Sequence, residues 1–160
     1  TNIPLVVDAD GIFYLKQLLK GYSQRPNIVI TPHYKEMAEF LNIPIQEIEQ
    51  EPILYARNIA HTYNLTVVLK GTCTIITNNQ STFFSTHGNP GLATAGTGDV
   101  LAGIIGSLLG REFGPLEAAK LGVLIHSLAG EIACEECGED SMIASDVISK
   151  IPQVIRYAKS

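Results

Sequence analysis

The chain has 160 residues, 46% of them hydrophobic and 17% charged, which is enough for one domain with a buried core. A net charge of -5 and scattered basic residues argue against a nucleic-acid or membrane binder, and no apolar stretch has the length of a transmembrane span. The odd number of cysteines (Cys73, Cys134 and Cys137) favours reduced thiols and a cytoplasmic protein.

The first part of the chain alternates apolar strands with helices. Runs of Val, Ile and Leu predict strands at 4–8, 27–31 and 65–70. A turn is predicted at 9–11 and a helix at 12–19, which Gly21 would end. Further helices are predicted at 33–41, 45–50 and 52–63.

The second part of the chain begins with a hairpin and is then helical. The hairpin strands are predicted at 73–77 and 81–85, and the helices at about 98–109, 115–137 and 145–151. Near-continuous apolar strands that alternate with helices are typical of a mostly parallel sheet with helices on both faces. We therefore predict an α/β fold in one domain.

The strongest chemical signal lies between Asn89 and Gly103. Gly96 and Gly98 lack side chains, so the backbone there can turn sharply and bring N–H groups close to a ligand. A helical pattern follows, which makes the loop a natural phosphate site at a helix N-terminus. Asp99 would repel a phosphate unless a metal lies nearby or it has chemical work to do, and a base toward an attacking hydroxyl belongs at this position. The alternative is an ordinary helix entry with Thr97 as N-cap.

Polar residues follow the predicted parallel strands, at the edge where ligands bind in such sheets. Asp8 and Asp10 follow the first strand, and either can position a metal or a substrate hydroxyl or simply form a turn. His33 follows the second strand, as a ligand contact or a surface residue, and Glu36 can cap the helix that begins there.

Lys70 follows the third strand and stands directly before Gly71. A cation at this edge suits a nucleotide phosphate, and glycine lets the backbone approach closely. Thr72 and Thr74 can add hydroxyls to the same site. His126 lies among apolar residues of a helix, which favours a core or helix-packing histidine.

Four segments then carry a family resemblance, and they occur in this order: Val7–Gly11, Thr31–Met37, Leu69–Gly71 and Asn89–Gly103. Together they resemble the ADP/ATP-dependent NAD(P)H-hydrate dehydratases, whose fold is ribokinase-like. The likeness runs through essentially the whole chain. It implies a layered, mostly parallel sheet with helices on both faces.

The resemblance also implies a reaction. Members of the family repair NADH and NADPH that have been hydrated at the nicotinamide ring, by phosphorylating the ring hydroxyl and eliminating phosphate. Asp99 would deprotonate that hydroxyl, and the N–H groups of Gly96, Thr97 and Gly98 would hold the transferred phosphoryl group.

The binding residues form two expected sets. Contacts to the hydrated dinucleotide are expected from His33, Asp99 and Asp10. Contacts to ADP or ATP are expected from Lys70, Gly71, Thr72, Cys73, Thr74 and Gly98. Mg²⁺ would bridge the phosphates and be held mainly by them and by water, so no protein ligand for the metal is predicted. The resemblance further implies a homo-oligomer.

Family members have further strands, helices and a Gly-rich substrate loop before the first strand of this chain. We therefore expect residues 1–160 to be a single ribokinase-like domain that is truncated at its N-terminus. Two alternatives stay open. A vitamin-precursor kinase of the same fold would release a stable phosphorylated product, whereas a nucleotide-binding module would show no turnover. The choices between ADP and ATP, and between the NADH and NADPH hydrates, also stay open.

Overall fold

The computed structural model describes residues 3–19 and 27–157, so the predicted helix end at Gly21 lies outside the described residues. The strands are β1 (Leu5–Val7), β2 (Ile28–Ile30), β3 (Thr66–Leu69), β4 (Thr74–Thr77) and β5 (Thr82–Ser85). The helices are α1 (Asp10–Leu19), α2 (Tyr34–Leu41), α3 (Ile45–Gln50), α4 (Pro52–Tyr63), α5 (Thr97–Gly110), α6 (Pro115–Cys137) and α7 (Ala144–Tyr157). A short 3₁₀ turn covers Pro90–Ala93.

The described strands form one sheet in the order β1-β2-β3-β4-β5. Strands β1, β2 and β3 are parallel, while β4 is antiparallel to both β3 and β5. The predicted hairpin is therefore present, and it makes the sheet mixed: within the described part of the chain, β4 runs against the other four strands.

Alternate residues of the central strands enter two different cores. Ile30 of β2 and Leu69 of β3 pack with residues of α1, α2 and α4. Val29 and Val68, their neighbours in sequence, pack with residues of α5 and α6 on the other face. Helices thus cover both faces, as predicted, because both sides of each central strand are apolar.

Two helices have an end that differs from the prediction by more than one residue. Helix α1 begins at Asp10 instead of after a turn, since Ala9 takes a left-handed φ of 49° and Gly11 N–H donates to the Asp8 carbonyl at 3.0 Å. Helix α7 continues through Pro152 to Tyr157. Proline normally interrupts a helix, but Val154, beyond it, is buried against α6.

Helix α6 is the longest helix described, with 23 residues. Neither α6 nor any other described helix combines the length and apolar character that a bilayer crossing requires.

Candidate functional site

Polar groups from separate strand ends meet at one edge of the sheet. Lys70 Nζ lies 3.0 Å from Asp8 Oδ1 and 3.9 Å from Glu36 Oε2. A parallel bridge between His33 and Lys70 extends the pairing of β2 and β3 to this edge. All of these residues follow parallel strands, so their convergence at the carboxyl ends follows from the topology. The side chain of Lys70 is 23% exposed, and that of Asp8 is 15% exposed.

His33 begins α2 through a reciprocal cap. Its Nδ1 accepts from the Glu36 N–H at 3.1 Å, and Glu36 Oε2 accepts from the His33 N–H at 2.7 Å. Glu36 is therefore a capping residue, as one prediction held. The His33 side chain remains 49% exposed.

The loop that contains Gly96 and Gly98 does not enter α5 through Thr97 as N-cap, which was the alternative interpretation of the sequence. Gly96 is the N-cap and takes a left-handed φ of 88°, which only glycine adopts without strain, so Thr97 is the first helical residue and not the N-cap. The Thr97 hydroxyl donates within the loop, to the Leu92 carbonyl at 2.6 Å and the Thr94 carbonyl at 2.8 Å. These bonds tie the loop to the preceding 3₁₀ turn.

The loop leaves backbone donors free. Thr97 N–H donates to the Thr94 carbonyl at 3.3 Å. For the N–H groups of Gly96, Gly98 and Asp99, no acceptor is found within residues 3–19 and 27–157. Free N–H groups at a helix start attract anions.

Gly98 lies where the loop approaches the lysine–aspartate pair. A Cβ added to Gly98 would lie 3.4 Å from Lys70 Nζ and 3.6 Å from Asp8 Oδ2. The missing side chain therefore keeps the space between the free N–H groups and the Lys70 ammonium open.

A cleft of about 710 Å³ opens beside this loop, a volume in the range of small-molecule and cofactor sites. Seven predicted site residues line it: His33, Lys70, Gly71, Thr72, Thr74, Thr97 and Gly98. Among the described residues the lining contains one lysine and no carboxylate, and the ammonium of that lysine is paired with Asp8.

Four predicted residues do not line this cleft. Asp99 is exposed at the third position of α5, directly after Gly98. Gly96 is half-buried in the loop, and Asp10 is exposed in the first turn of α1. Cys73 turns its thiol toward the hairpin, where Sγ donates to the Ser85 carbonyl at 3.4 Å.

The structure adds His126 to the site. The side chain is buried, and Nε2 donates to the Thr97 carbonyl at 2.9 Å. Burial lowers the pKa of His126 below its ordinary value of 6.5; the hydrogen bond to Thr97 raises it, and the charge of Lys70 lowers it. The interpretation as a satisfied buried histidine is confirmed, but no sequence signal identified its partner.

Two residues before the 3₁₀ turn also line the cleft, His87 and Asn89, and neither was predicted as a site residue, although Asn89 begins the segment with the strongest chemical signal. His87 is exposed and lies 3.3 Å from Glu131, whose carboxylate accepts from Gly88 N–H at 2.9 Å. Asn89 has a buried amide for which the described part of the chain offers no partner. Both belong to a loop whose position depends on α6.

The donors of this site suit a phosphate better than a bare cation. No group of three His, Cys, Asp or Glu side chains in the described ranges could hold a metal ion. Asp8, the carboxylate beside the loop, is paired with Lys70. A Mg²⁺ ion fits here only if phosphates and water supply most of its ligands.

Comparison with known proteins gives consistent matches. The family model described as NAD(P)H-hydrate dehydratase matches residues 1–153. A bifunctional NAD(P)H-hydrate repair enzyme of Thermofilum pendens is 37% identical over 155 residues, which is 96% of this chain and 30% of that protein. An ADP-dependent (S)-NAD(P)H-hydrate dehydratase of Neisseria meningitidis is 36% identical over 145 residues, which is 86% of this chain and 48% of that protein.

Among solved structures, the ADP/ATP-dependent NAD(P)H-hydrate dehydratase of Bacillus subtilis, co-crystallised with ATP and Mg²⁺, superposes with a TM-score of 0.85 at 27% identity. The match covers 96% of this chain and 55% of that chain. The chain therefore spans about half or less of the length of these relatives.

Proposed function

The chain belongs to the NAD(P)H-hydrate dehydratase family, and we propose that it contributes the nucleotide site and catalytic loop of an enzyme that dehydrates hydrated NADH or NADPH with ADP or ATP. The ring hydroxyl is phosphorylated, and phosphate then leaves to restore the reduced nicotinamide. One observation carries the proposal: a helix start with free N–H groups and an exposed aspartate borders a cleft that contains a lysine and no carboxylate.

The adenine nucleotide occupies the cleft. Lys70, Gly71, Thr72 and Thr74 line it, and Cys73 can contribute only its backbone, because its thiol is turned to Ser85. Gly98 lines it close to Lys70, since a Cβ on Gly98 would lie 3.4 Å from Lys70 Nζ. The phosphates lie between the Lys70 ammonium and the free N–H groups, where opposite charge and hydrogen bonding favour them.

The transferred phosphoryl group is held by the loop. Gly96 and Gly98 offer N–H groups without a protein acceptor in the described ranges, and Thr97 joins them by exchanging its 3.3 Å bond to Thr94. Such preorganised donors stabilise charge that develops in the transition state. Mg²⁺ carried by the phosphates supplies further neutralisation of their charge.

Asp99 is the base that takes the proton from the ring hydroxyl. It is exposed and directly follows Gly98, and no described residue forms a hydrogen bond or ion pair with its side chain. An unpaired carboxylate beside a phosphoryl site can accept a proton from an attacking hydroxyl. His33 and Asp10 contact the hydrated dinucleotide from the ends of β2 and β1.

The relatives are about twice as long as this chain or longer. We therefore assign the activity to a protein that contains the rest of the ribokinase-like domain.

The test is recovery of absorbance at the reduced-nicotinamide band. Full-length protein is mixed with hydrated NADH, Mg²⁺ and either ADP or ATP. We expect recovery only with nucleotide, and a loss of about 10³-fold in kcat for Asp99→Asn because the base is removed. Asp140→Asn, an exposed aspartate in a turn far along the chain, is the matched control and should keep wild-type activity.

No recovery with either nucleotide in the wild-type protein would contradict the proposal, as would an Asp99→Asn variant that keeps full activity. A stable phosphorylated product would support the kinase alternative instead.

A further inference from the structure

A buried histidine reaches the phosphate-binding loop from α6. His126 is 7% exposed and lines the cleft, and its Nε2 lies 2.9 Å from the Thr97 carbonyl oxygen. A carbonyl oxygen can only accept, so the proton of the imidazole is on Nε2. The imidazole N–H therefore donates its hydrogen bond to the loop.

The Thr97 carbonyl and the Gly98 N–H belong to the same peptide unit. No cis peptide bond occurs in the described chain, so this unit is planar and trans, and the two groups point in opposite directions. A donor that fixes the direction of the carbonyl therefore fixes the direction of the N–H. The same hydrogen bond polarises the peptide and makes the N–H a stronger donor.

We propose that His126 is a positioning residue that aims the Gly98 N–H at the phosphates of the bound nucleotide through its bond to the Thr97 carbonyl. This inference rests on the proposed function, since it concerns the same phosphate site. The other side-chain anchor of the loop acts elsewhere, since the Thr97 hydroxyl bonds to the Leu92 and Thr94 carbonyls. The Thr97–Gly98 peptide lies in the first turn of α5, and His126 adds a side-chain donor to its carbonyl.

The environment of His126 fits this role. Burial lowers the pKa of His126, and the positive charge of Lys70 lowers it further against the opposing effect of the Thr97 bond. At neutral pH the imidazole is uncharged, and its one N–H stays on the Thr97 carbonyl. His126 therefore supplies geometry to the loop and no charge to the ligand.

The test compares two amide replacements in the full-length protein. Glutamine can place an N–H₂ group near the position of Nε2, whereas asparagine is one methylene shorter and cannot reach the carbonyl. Binding of ADP and of adenosine is measured by calorimetry, because adenosine lacks the phosphates. We expect His126→Asn to weaken ADP about tenfold and adenosine less than about twofold, while His126→Gln stays within about threefold of wild type for both.

His61, an exposed histidine on α4, provides the control variant His61→Asn, which should bind both ligands like the wild type. Equal ADP binding by wild type and His126→Asn would overturn the inference. A parallel loss of adenosine and ADP in both His126 variants would overturn it as well, because that pattern indicates a packing role. These readouts need no turnover, so they stand apart from failure of the dehydratase assay. A wild-type protein that binds ADP no better than adenosine would contradict the phosphate site itself.

Discussion

At the scale of single residues, the lining of the cleft was predictable where one residue type has a special property. Gly96 and Gly98 were predicted to allow a sharp turn of the backbone. Gly96 does take a positive φ. Lys70 was predicted at the ligand edge because it is a cation at the end of a parallel strand, and it does line the cleft. The ion pair between Lys70 and Asp8 could not be predicted, because 62 residues separate the two in the chain and only the fold brings them together.

Gly98→Ala should separate binding from stability. The new Cβ would lie 3.4 Å from Lys70 Nζ, the end of a flexible side chain, so the fold can accept it. We expect the free energy of unfolding to change by less than about 1 kcal/mol, because alanine also favours the helix. The Kd for ADP should rise about tenfold, because the methyl group occupies the space that phosphates approach.

Calorimetry and urea denaturation measure the two quantities. Gly103→Ala in the same helix is the control, since nothing lies within 4 Å of its new methyl group. If Gly98→Ala leaves the affinity for ADP unchanged, the phosphates do not bind beside Gly98.

At the scale of elements, prediction succeeded where proline marks the start of a helix. Helices α3, α4 and α6 have the predicted bounds, and proline stands at or next to the start of each. The 3₁₀ turn at Pro90–Ala93 was missed, and α7 was predicted too short. Both depend on packing against α6, which no local pattern encodes.

Close packing of α5 on α6 is itself a testable property. A Cβ on Gly122 would lie 2.5 Å from Ile105 Cγ1, a contact that forces the helices apart. Gly122→Ala should therefore lower the free energy of unfolding by about 1–3 kcal/mol despite the better helix propensity of alanine. Urea denaturation measures the change.

Gly110→Ala, at the end of α5, meets nothing within 4 Å and provides the comparison. It should not lower stability. If Gly122→Ala is as stable as Gly110→Ala, the two helices do not pack as closely as described.

At the scale of the whole molecule, β1 stands at one edge of the sheet and retains apolar exposure. Leu5 is 41% exposed, and no described strand pairs with the outer edge of β1. The Bacillus subtilis structure matches 96% of this chain with only 55% of its own length. We expect the remaining part of the domain to cover this edge in a protein of that length.

Leu5→Lys should have opposite effects in two lengths of the protein. In the 160-residue chain alone, a lysine on an open strand edge should reduce self-association, as edge charges do in natural sheets. In full-length protein the same change should destabilise by about 1–3 kcal/mol, because the charge would be covered. Sedimentation and urea denaturation measure these effects.

Ile53→Lys on α4 is the matched control, since Ile53 is also 41% exposed. It should change stability little at either length. Equal effects of Leu5→Lys in the short and long proteins would contradict the expected covering of β1.

The carboxylate of Glu36 belongs to two structures at once. It accepts the N–H that opens α2, and it lies 3.9 Å from the Lys70 ammonium at the ligand edge. Folding of the helix start and charge balance at the cleft therefore share one side chain. Glutamine can keep the first task, because its side-chain oxygen can also accept the capping bond, but it carries no charge for the second. Chemically, the two tasks can be separated by exchanging a single oxygen for nitrogen.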